Sequence, residues 1–131
     1  MGYDVVHPDA LEFEERPSPE GSAPRLAADV TVPGGLEHSR ARLWRYPPGA
    51  RGRRHRDNGQ EEIFVVLGGT LTMLLGDPPE RVDVAAHGLV AVHAGTPLQV
   101  RNESAEDLVL FIYGAPPVTG EAEFLDDVAE L

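Results

Sequence analysis

Apolar and polar residues alternate in short runs over most of the chain, and turn residues separate one run from the next. Alternation with a period of two is typical of strands, in which successive side chains point to opposite faces of a sheet. The pattern predicts strands at residues 40–46, 62–67, 70–75, 81–85, 89–93, 98–102 and 108–113. Short strands at this spacing, with glycine and proline turns between them, predict an all-β sandwich or barrel.

The two ends of the chain are patterned less regularly. Within residues 1–37, short strands are predicted at residues 5–6, 11–13 and 27–32, with a loop at residues 16–24. The acidic tail, residues 118–131, is predicted to be either a short amphipathic helix or frayed chain. The apolar stripe of that helix would consist of Phe124, Leu125, Val128 and Leu131. The 131 residues are predicted to form a single domain with a hydrophobic core of its own.

Composition narrows the class of protein. The chain has no cysteine, which excludes disulfides, thiolate metal sites and a cysteine nucleophile. No apolar run approaches the length of about 20 residues that spans a bilayer, and residues 1–6 lack the features of a signal peptide. The formal charge is −11 and all 11 cations are arginine, a balance that opposes binding to nucleic-acid phosphates. We therefore expect a cytoplasmic protein with no nucleic-acid or membrane partner.

His55, Asp57 and Glu62 form the group of residues with the clearest chemistry. His55 and Asp57 share a face if they lie on a strand, and Glu62 opens the next apolar run after a polar turn. An imidazole and two carboxylates that meet on one face suit a divalent metal ion. The candidate ions are Mn²⁺, Fe²⁺ and Zn²⁺, and this donor set favours the harder ions, Mg²⁺ included, over Zn²⁺. In the alternative, the three side chains form a buried ion-paired cluster with an arginine such as Arg53, and no metal is bound.

Four arginines, Arg51, Arg53, Arg54 and Arg56, surround His55 along the chain. They either balance nearby carboxylates or form a clamp for an anionic small molecule, because a guanidinium group matches a carboxylate or phosphate. Arg53 is the candidate ligand-binding residue of this group.

Two stretches of the sequence match known motifs. Residues 49–69 resemble the first motif of the cupin family, in which a glycine, His-x-His, a glutamate and a second glycine follow at fixed spacing. The spacing holds here for Gly49, His55, position 57, Glu62 and Gly69. Residues 88–102 resemble the second motif of the family, with Gly95 and Asn102 at matching positions.

The resemblance covers roughly residues 38–115 and implies a double-stranded β-helix, a jelly-roll barrel with its site inside. It is a resemblance to the small, single-domain bacterial members of the family. It implies a small organic ligand and, for the enzymes of the family, metal-dependent oxygenase, isomerase or cyclase chemistry. Pairing into a homodimer is expected from the same analogy.

Two of the family's four metal-binding positions differ in this chain. Asp57 replaces a histidine of the first motif, and Leu98 replaces the histidine of the second. A carboxylate can still bind a metal, whereas Leu98 has no lone pair to donate. In one hypothesis His55, Asp57 and Glu62 hold an ion, or Glu62 or Asp57 acts as a general base with a pKa raised by burial. In the other, the protein is a ligand-binding or sensor cupin that has lost its metal.

An apolar wall is predicted beside the candidate metal ligands. Phe64 and Val66 share a strand face with Glu62, and Val100 shares one with Leu98. Since a small-molecule site is usually apolar with a few polar groups, we expect these four apolar residues to contact the ligand.

Overall fold

Two antiparallel β-sheets pack against each other in this computed structural model, which describes residues 2–117 and 122–128. The larger sheet has six strands, in the spatial order β1 (Glu14–Arg16), β2 (Arg25–Asp29), β3 (Arg40–Tyr46), β10 (Leu108–Ala115), β5 (Glu61–Gly68) and β8 (Leu89–Val92). The smaller sheet has five, in the order β11 (Glu123–Phe124), β4 (His55–Arg56), β9 (Leu98–Arg101), β6 (Thr70–Leu75) and β7 (Glu80–Ala85). The predicted all-β double-stranded β-helix is confirmed.

Helical structure is almost absent from the described part of the chain. Its one helical element is a 3-10 turn at Pro8–Ala10. Accordingly, none of the described residues belongs to a helix that is long and apolar enough to cross a membrane.

The hydrophobic core lies between the two sheets. Val66 of β5 and Leu110 of β10 pack in one cluster with Leu71 and Met73 of β6, and each of the four has an exposed fraction of 0%. Full burial of such a side chain stabilises the fold by about 1.5–3 kcal/mol. The core therefore holds the two sheets together.

Strand β5 shows the expected period of two. Glu62, Phe64 and Val66 point inward and are buried, whereas Glu61 and Ile63 point outward and are exposed. The alternation thus places one glutamate in the inner wall of the barrel, in line with two apolar residues.

Gly69 turns the chain between β5 and β6, as the sequence predicts. Its φ of +76° lies in the left-handed region, and a Cβ at this position would overlap the carbonyl oxygen of Asp107. A glycine is therefore required here. Because Gly69 and Gly76 bound β6 on both sides, the observed limits of this strand agree with the predicted ones.

Of the three strands predicted before residue 38, the first two are wrong and the third is confirmed with different limits. Residues 5–6 and 11–13 form no strand, and β1 lies at Glu14–Arg16 instead. Val5 is 71% exposed, so a strand there would bury little apolar surface. Strand β2 ends at Asp29, before the predicted end, because the side chain of Asp29 accepts hydrogen bonds from two following backbone N–H groups and turns the chain.

The amphipathic helix predicted for the tail is wrong for the described residues. Glu123–Phe124 forms β11, which pairs antiparallel with β4, and residues 125–128 are not helical. A short isolated helix is marginal in water, whereas the edge of β4 offers backbone groups that a strand can bond. Residues 118–121 and 129–131, with the predicted apolar position Leu131, lie outside the described residues.

Candidate functional site

Three metal-ligating side chains meet between the two sheets. His55 lies on β4 of the smaller sheet, Asp57 directly follows β4, and Glu62 lies on β5 of the larger sheet. One donor atom of each lies within 4.8 Å of the other two. Asp57 and Glu62 are buried and His55 is partly buried. The structure thus brings together the three residues that the motif spacing groups.

A hydrogen bond determines which ring nitrogen of His55 is free. Nδ1 lies 2.9 Å from the carbonyl oxygen of Arg53. Because a carbonyl oxygen only accepts, Nδ1 carries the hydrogen and donates it. Nε2 lies 3.4 Å from Oδ2 of Asp57. A ring whose Nδ1–H is held by a backbone carbonyl presents Nε2 as a ligand, which is the usual arrangement of metal-bound histidines.

The two carboxyl groups titrate in opposite directions. The neighbouring His55 imidazole holds the pKa of Asp57 well below its usual range, and burial opposes this shift. Burial raises the pKa of Glu62 to about 8; the Asp57 carboxyl group adds to the shift and the charge of Arg40 opposes it. Without a bound cation, Glu62 therefore keeps its proton at neutral pH while Asp57 is ionised.

A divalent cation fits this donor set. Asp57 Oδ2 is buried and has no hydrogen-bond partner among the described residues, and leaving a buried carboxylate oxygen unpaired is costly. The lone pair of a neutral His55 ring would face that oxygen across 3.4 Å, which is repulsive unless a proton or a metal ion lies between them. One imidazole nitrogen and two carboxylate oxygens suit Mn²⁺, Fe²⁺ or Zn²⁺.

Leu98 lies directly opposite His55, as its register partner in the β4–β9 pair. Its side chain is 1% exposed and points into the cavity beside the three ligands. The part of the site where the second motif would supply a histidine is therefore apolar. Three protein ligands and one apolar side remain around the ion position.

A cavity of about 280 Å³ adjoins the three ligands. Its large apolar lining residues are Trp44, Phe64, Leu98, Val100, Ile112 and Phe124. Three of the four predicted apolar contact residues thus line the cavity, whereas Val66 is fully buried in the core and is not among the lining residues. A cavity that combines an apolar wall with polar groups suits a small organic molecule.

The four arginines that surround His55 along the chain do not converge on the cavity. Arg53 lines it, and its guanidinium carbon lies 4.0 Å from the centroid of the Phe124 ring. The other three bind neighbouring chain segments: Arg51 the Glu20 carbonyl, Arg54 the Asp126 carbonyl and Arg56 the Glu123 carboxylate. The predicted four-arginine clamp is therefore not assembled, and Arg53 is its one member at the cavity.

Three arginines that the sequence analysis did not assign to the site also line the cavity: Arg25 of β2, and Arg40 and Arg42 of β3. Arg40, Arg42 and Trp44 occupy every second position of β3, so they share one face. The alternation is visible in the sequence. However, arginines that alternate with apolar residues on a strand are normally predicted to face solvent. They can face inward here because the inner face of β3 borders a cavity.

The tail forms part of the cavity wall. The N–H of Leu125 donates to the carbonyl of Arg54 at 2.9 Å, and Arg54 Nη1 donates back to a carbonyl of the tail at 3.0 Å. Phe124 lines the cavity, and its ring centroid lies 6.3 Å from that of His55. No sequence pattern indicates this contact, because it joins residues far apart in the chain.

Comparisons with known proteins agree with this architecture. The family model described as "Cupin domain" matches residues 42–113. A search of curated proteins found no significant match.

Several solved structures share the fold at low sequence identity. The polyketide cyclase RemF from Streptomyces resistomycificus has a TM-score of 0.80 at 16% identity, over 96% of this chain and 87% of that one. A predicted oxalate decarboxylase from Thermotoga maritima has a TM-score of 0.75 at 17% identity, over 86% of this chain and 99% of that one. A sugar phosphate isomerase from Silicibacter pomeroyi has a TM-score of 0.71 at 21% identity, over 85% and 74% of the two chains. Since the family match spans more than half of the residues and the barrel is the same, this chain belongs to the cupin family.

Proposed function

We propose that this cupin binds a divalent cation through His55, Asp57 and Glu62 and acts with it on a small organic molecule held in the adjoining cavity. One observation carries the proposal: three donor atoms lie within 4.8 Å of one another at the wall of an apolar cavity. The buried Oδ2 of Asp57, which accepts no hydrogen bond from the described residues, supports it, because a cation would satisfy that oxygen.

Each residue has a separate part in this proposal. His55 offers Nε2 because Arg53 holds its Nδ1–H, and Glu62 becomes an anionic ligand by releasing its proton when the cation binds. When bound, the cation would polarise an oxygen atom of the organic molecule as a Lewis acid. Leu98 keeps one side of the ion free of protein donors, and three protein ligands with open positions are typical of catalytic metal sites.

The reaction that we propose is a metal-assisted oxygenation, isomerisation or cyclisation. An isomerase and a polyketide cyclase are among the proteins that share this fold. In isomerisation and cyclisation a polarised oxygen and a nearby proton acceptor are useful, and a carboxylate oxygen of Asp57 or Glu62 that does not bind the cation would provide the acceptor. The apolar lining of the cavity would hold the molecule away from bulk water.

A second candidate function is metal-free binding of an organic molecule, with or without acid–base chemistry. The observation that favours it is the apolar Leu98 opposite His55, which removes a donor that the family motif otherwise supplies. In this case Glu62, whose pKa burial raises to about 8, would donate its proton to the ligand or take one from it.

Metal content separates the two candidates. Protein purified without chelator or nickel, then incubated with Mn²⁺, Fe²⁺ or Zn²⁺ and desalted, should retain about one ion per chain. Replacing the anionic ligand by an amide in Glu62→Gln should weaken Mn²⁺ binding, measured by calorimetry, by at least about tenfold. The matched control Glu61→Gln changes the neighbouring outward carboxylate and should bind Mn²⁺ like the wild type. Protein that retains none of the three metals would exclude the first candidate.

A further inference from the structure

Four arginines line the cavity although the protein is strongly acidic. The formal charge of the chain is −11, yet Arg25, Arg40, Arg42 and Arg53 all line this cavity. The two carboxyl groups in its lining belong to the metal-ligand cluster, where they face His55 and each other. Positive charge is therefore concentrated at this cavity, on the arginines of β2 and β3, although the chain as a whole is acidic.

The hydrogen bonds of these arginines differ in one respect. Arg25 donates to the hydroxyl groups of Ser18 and Tyr46, both at 3.1 Å. Arg40 donates through Nε and Nη2 to Oε1 of Gln60, at 3.2 and 2.9 Å. The side chain of Arg42 makes no hydrogen bond or ion pair with any other residue that the structure describes. It is the one arginine of β2 and β3 in the cavity whose guanidinium group is left without such a partner.

The surroundings of Arg42 do not compensate its charge. It is partly buried, and burial together with the nearby charges of Arg16 and Arg40 lowers its pKa. Asp29 is the one carboxylate that favours its charge there, but both oxygens of Asp29 already accept hydrogen bonds from backbone N–H groups. Arg16 adds to the deficit, since its Nε is buried without a hydrogen-bond partner among the described residues. An anion in the cavity beside Arg42 would compensate the charge of its guanidinium group.

We propose that Arg42, assisted by Arg40, binds the carboxylate of a small apolar organic acid whose body lies in the cavity. Arg40 and Arg42 are two residues apart on β3, so their side chains leave the same face about 6–7 Å apart and can reach one acid group. A guanidinium fork matches a carboxylate in two parallel hydrogen bonds. Trp44 and Ile112 provide apolar wall beside it. The volume of about 280 Å³ lies at the low end for ligand sites, which suits a compact acid.

This inference rests on the proposed function only in using the same cavity, and it holds with or without a bound metal. It places the acid group at β3 and the remainder of the molecule towards His55, Asp57 and Glu62. The proposed anion-binding residues therefore lie on the inner face of β3 and not in the arginine-rich segment before β5.

The single tryptophan of the chain supplies the assay, because Trp44 lines the cavity. Benzoate, a compact aromatic carboxylate, should change Trp44 fluorescence in a saturable way at neutral pH and low salt. Its neutral analogue benzyl alcohol should bind at least about tenfold more weakly, since it cannot form a charge-assisted hydrogen bond with a guanidinium group. No saturable binding of benzoate, or equal affinity for the two probes, overturns the proposal.

Variants of β3 locate the anion site. Arg42→Gln should weaken benzoate binding by at least about tenfold, whereas Arg45→Gln, an exposed arginine of the same strand outside the cavity lining, should leave it unchanged. If Arg42→Gln does not fold, Arg42→Lys decides the question, because it keeps the charge but loses the planar fork and should still weaken binding. Wild-type affinity in a folded Arg42 variant overturns the proposal.

Failure of this inference and failure of the proposed function are distinguishable. The titration is run on chelator-treated protein and on Glu62→Gln as well as on the metal-loaded wild type. If wild-type protein retains no metal after incubation with the three ions but still binds benzoate through Arg42, the anion site is supported and the proposed metal site is wrong. If the protein retains about one metal ion per chain but benzoate binding does not depend on Arg42, the metal site is supported and the anion site is wrong.

Discussion

The metal-free protein should lose stability as the pH rises from about 5 to 8, and Glu62 should be the main cause. Burial raises the pKa of Glu62 from 4.5 to about 8 in the folded chain. The folded state therefore binds a proton that the unfolded state releases, so the stabilisation is complete below pH 4.5 and is lost as the pH rises through 8. Asp57 has the opposite sign: its pKa is lowered, and its contribution is present above pH 3.8 and lost in more acidic solution. Asp57 thus adds no slope between pH 5 and 8.

The size of the effect follows from the shift. A difference of 8 − 4.5, or 3.5 pH units, at about 1.4 kcal/mol per unit sets an upper limit of about 5 kcal/mol. Water entering the cavity would stabilise the ionised form of Glu62, so we expect a loss of about 2–4 kcal/mol. Since domains of this size are stable by about 5–15 kcal/mol, the loss is large enough to measure.

Urea unfolding in the presence of EDTA, at unit pH steps from 5 to 8, measures this dependence. Glu62→Gln should flatten the curve, whereas the control Glu61→Gln, which changes an exposed carboxylate on the opposite face of β5, should keep the slope of the wild type. The difference between the wild-type and Glu62→Gln curves isolates the contribution of Glu62 to the pH dependence. A wild-type curve without slope, or an unchanged slope in Glu62→Gln, would refute the reasoning.

Three further substitutions test single features of the structure. Leu98→His should add a fourth ligand opposite His55 and strengthen Mn²⁺ binding, measured by calorimetry, by at least about tenfold. An affinity equal to that of the wild type, or the same gain in the control Leu98→Ala, would contradict this. Phe124→Ala should remove the contact with the Arg53 guanidinium and lower the free energy of unfolding by about 1 kcal/mol, and an unchanged urea midpoint would argue against a stabilising tail. Asn102→Ala should lower the free energy of unfolding by about 2–4 kcal/mol in the same assay, because the buried Asn102 amide donates to two backbone carbonyls at 2.8 and 2.7 Å. A loss below about 1 kcal/mol would count against that role.

The strand prediction was most accurate where local chemistry bounds a strand. Strand β6 lies between two glycines with positive φ and has its predicted limits. Strand β5 follows its period of two, with Phe64 and Val66 inward. By contrast, β11 and β1 form because a neighbouring strand edge is available to them. Such an edge exists only in the folded chain, so the sequence pattern placed a strand at residues 11–13 instead of Glu14–Arg16 and predicted no strand at Glu123–Phe124.

The residues of the candidate site were likewise predicted only in part from the sequence. The spacing of His55, Asp57 and Glu62 was sufficient to group them, since β4 and β5 are close in sequence and a short turn joins them. The contribution of Arg42 could not be found in this way. An arginine at an alternating position is ordinarily exposed, and its inward direction depends on pairing between β3 and β10, which are about 60 residues apart.

The sequence by itself determined the β-rich fold, the turns and the identity of three potential metal ligands, because alternation, glycine conformation and short spacings are local properties of the chain. Only the tertiary structure decided that Leu98 stands opposite His55, that the Arg42 guanidinium group faces a cavity with no hydrogen-bond partner among the described residues, and that the tail contributes Phe124 to its wall. The physical reason is that these contacts join residues distant in sequence, so they exist only once the two sheets have packed and excluded water between them.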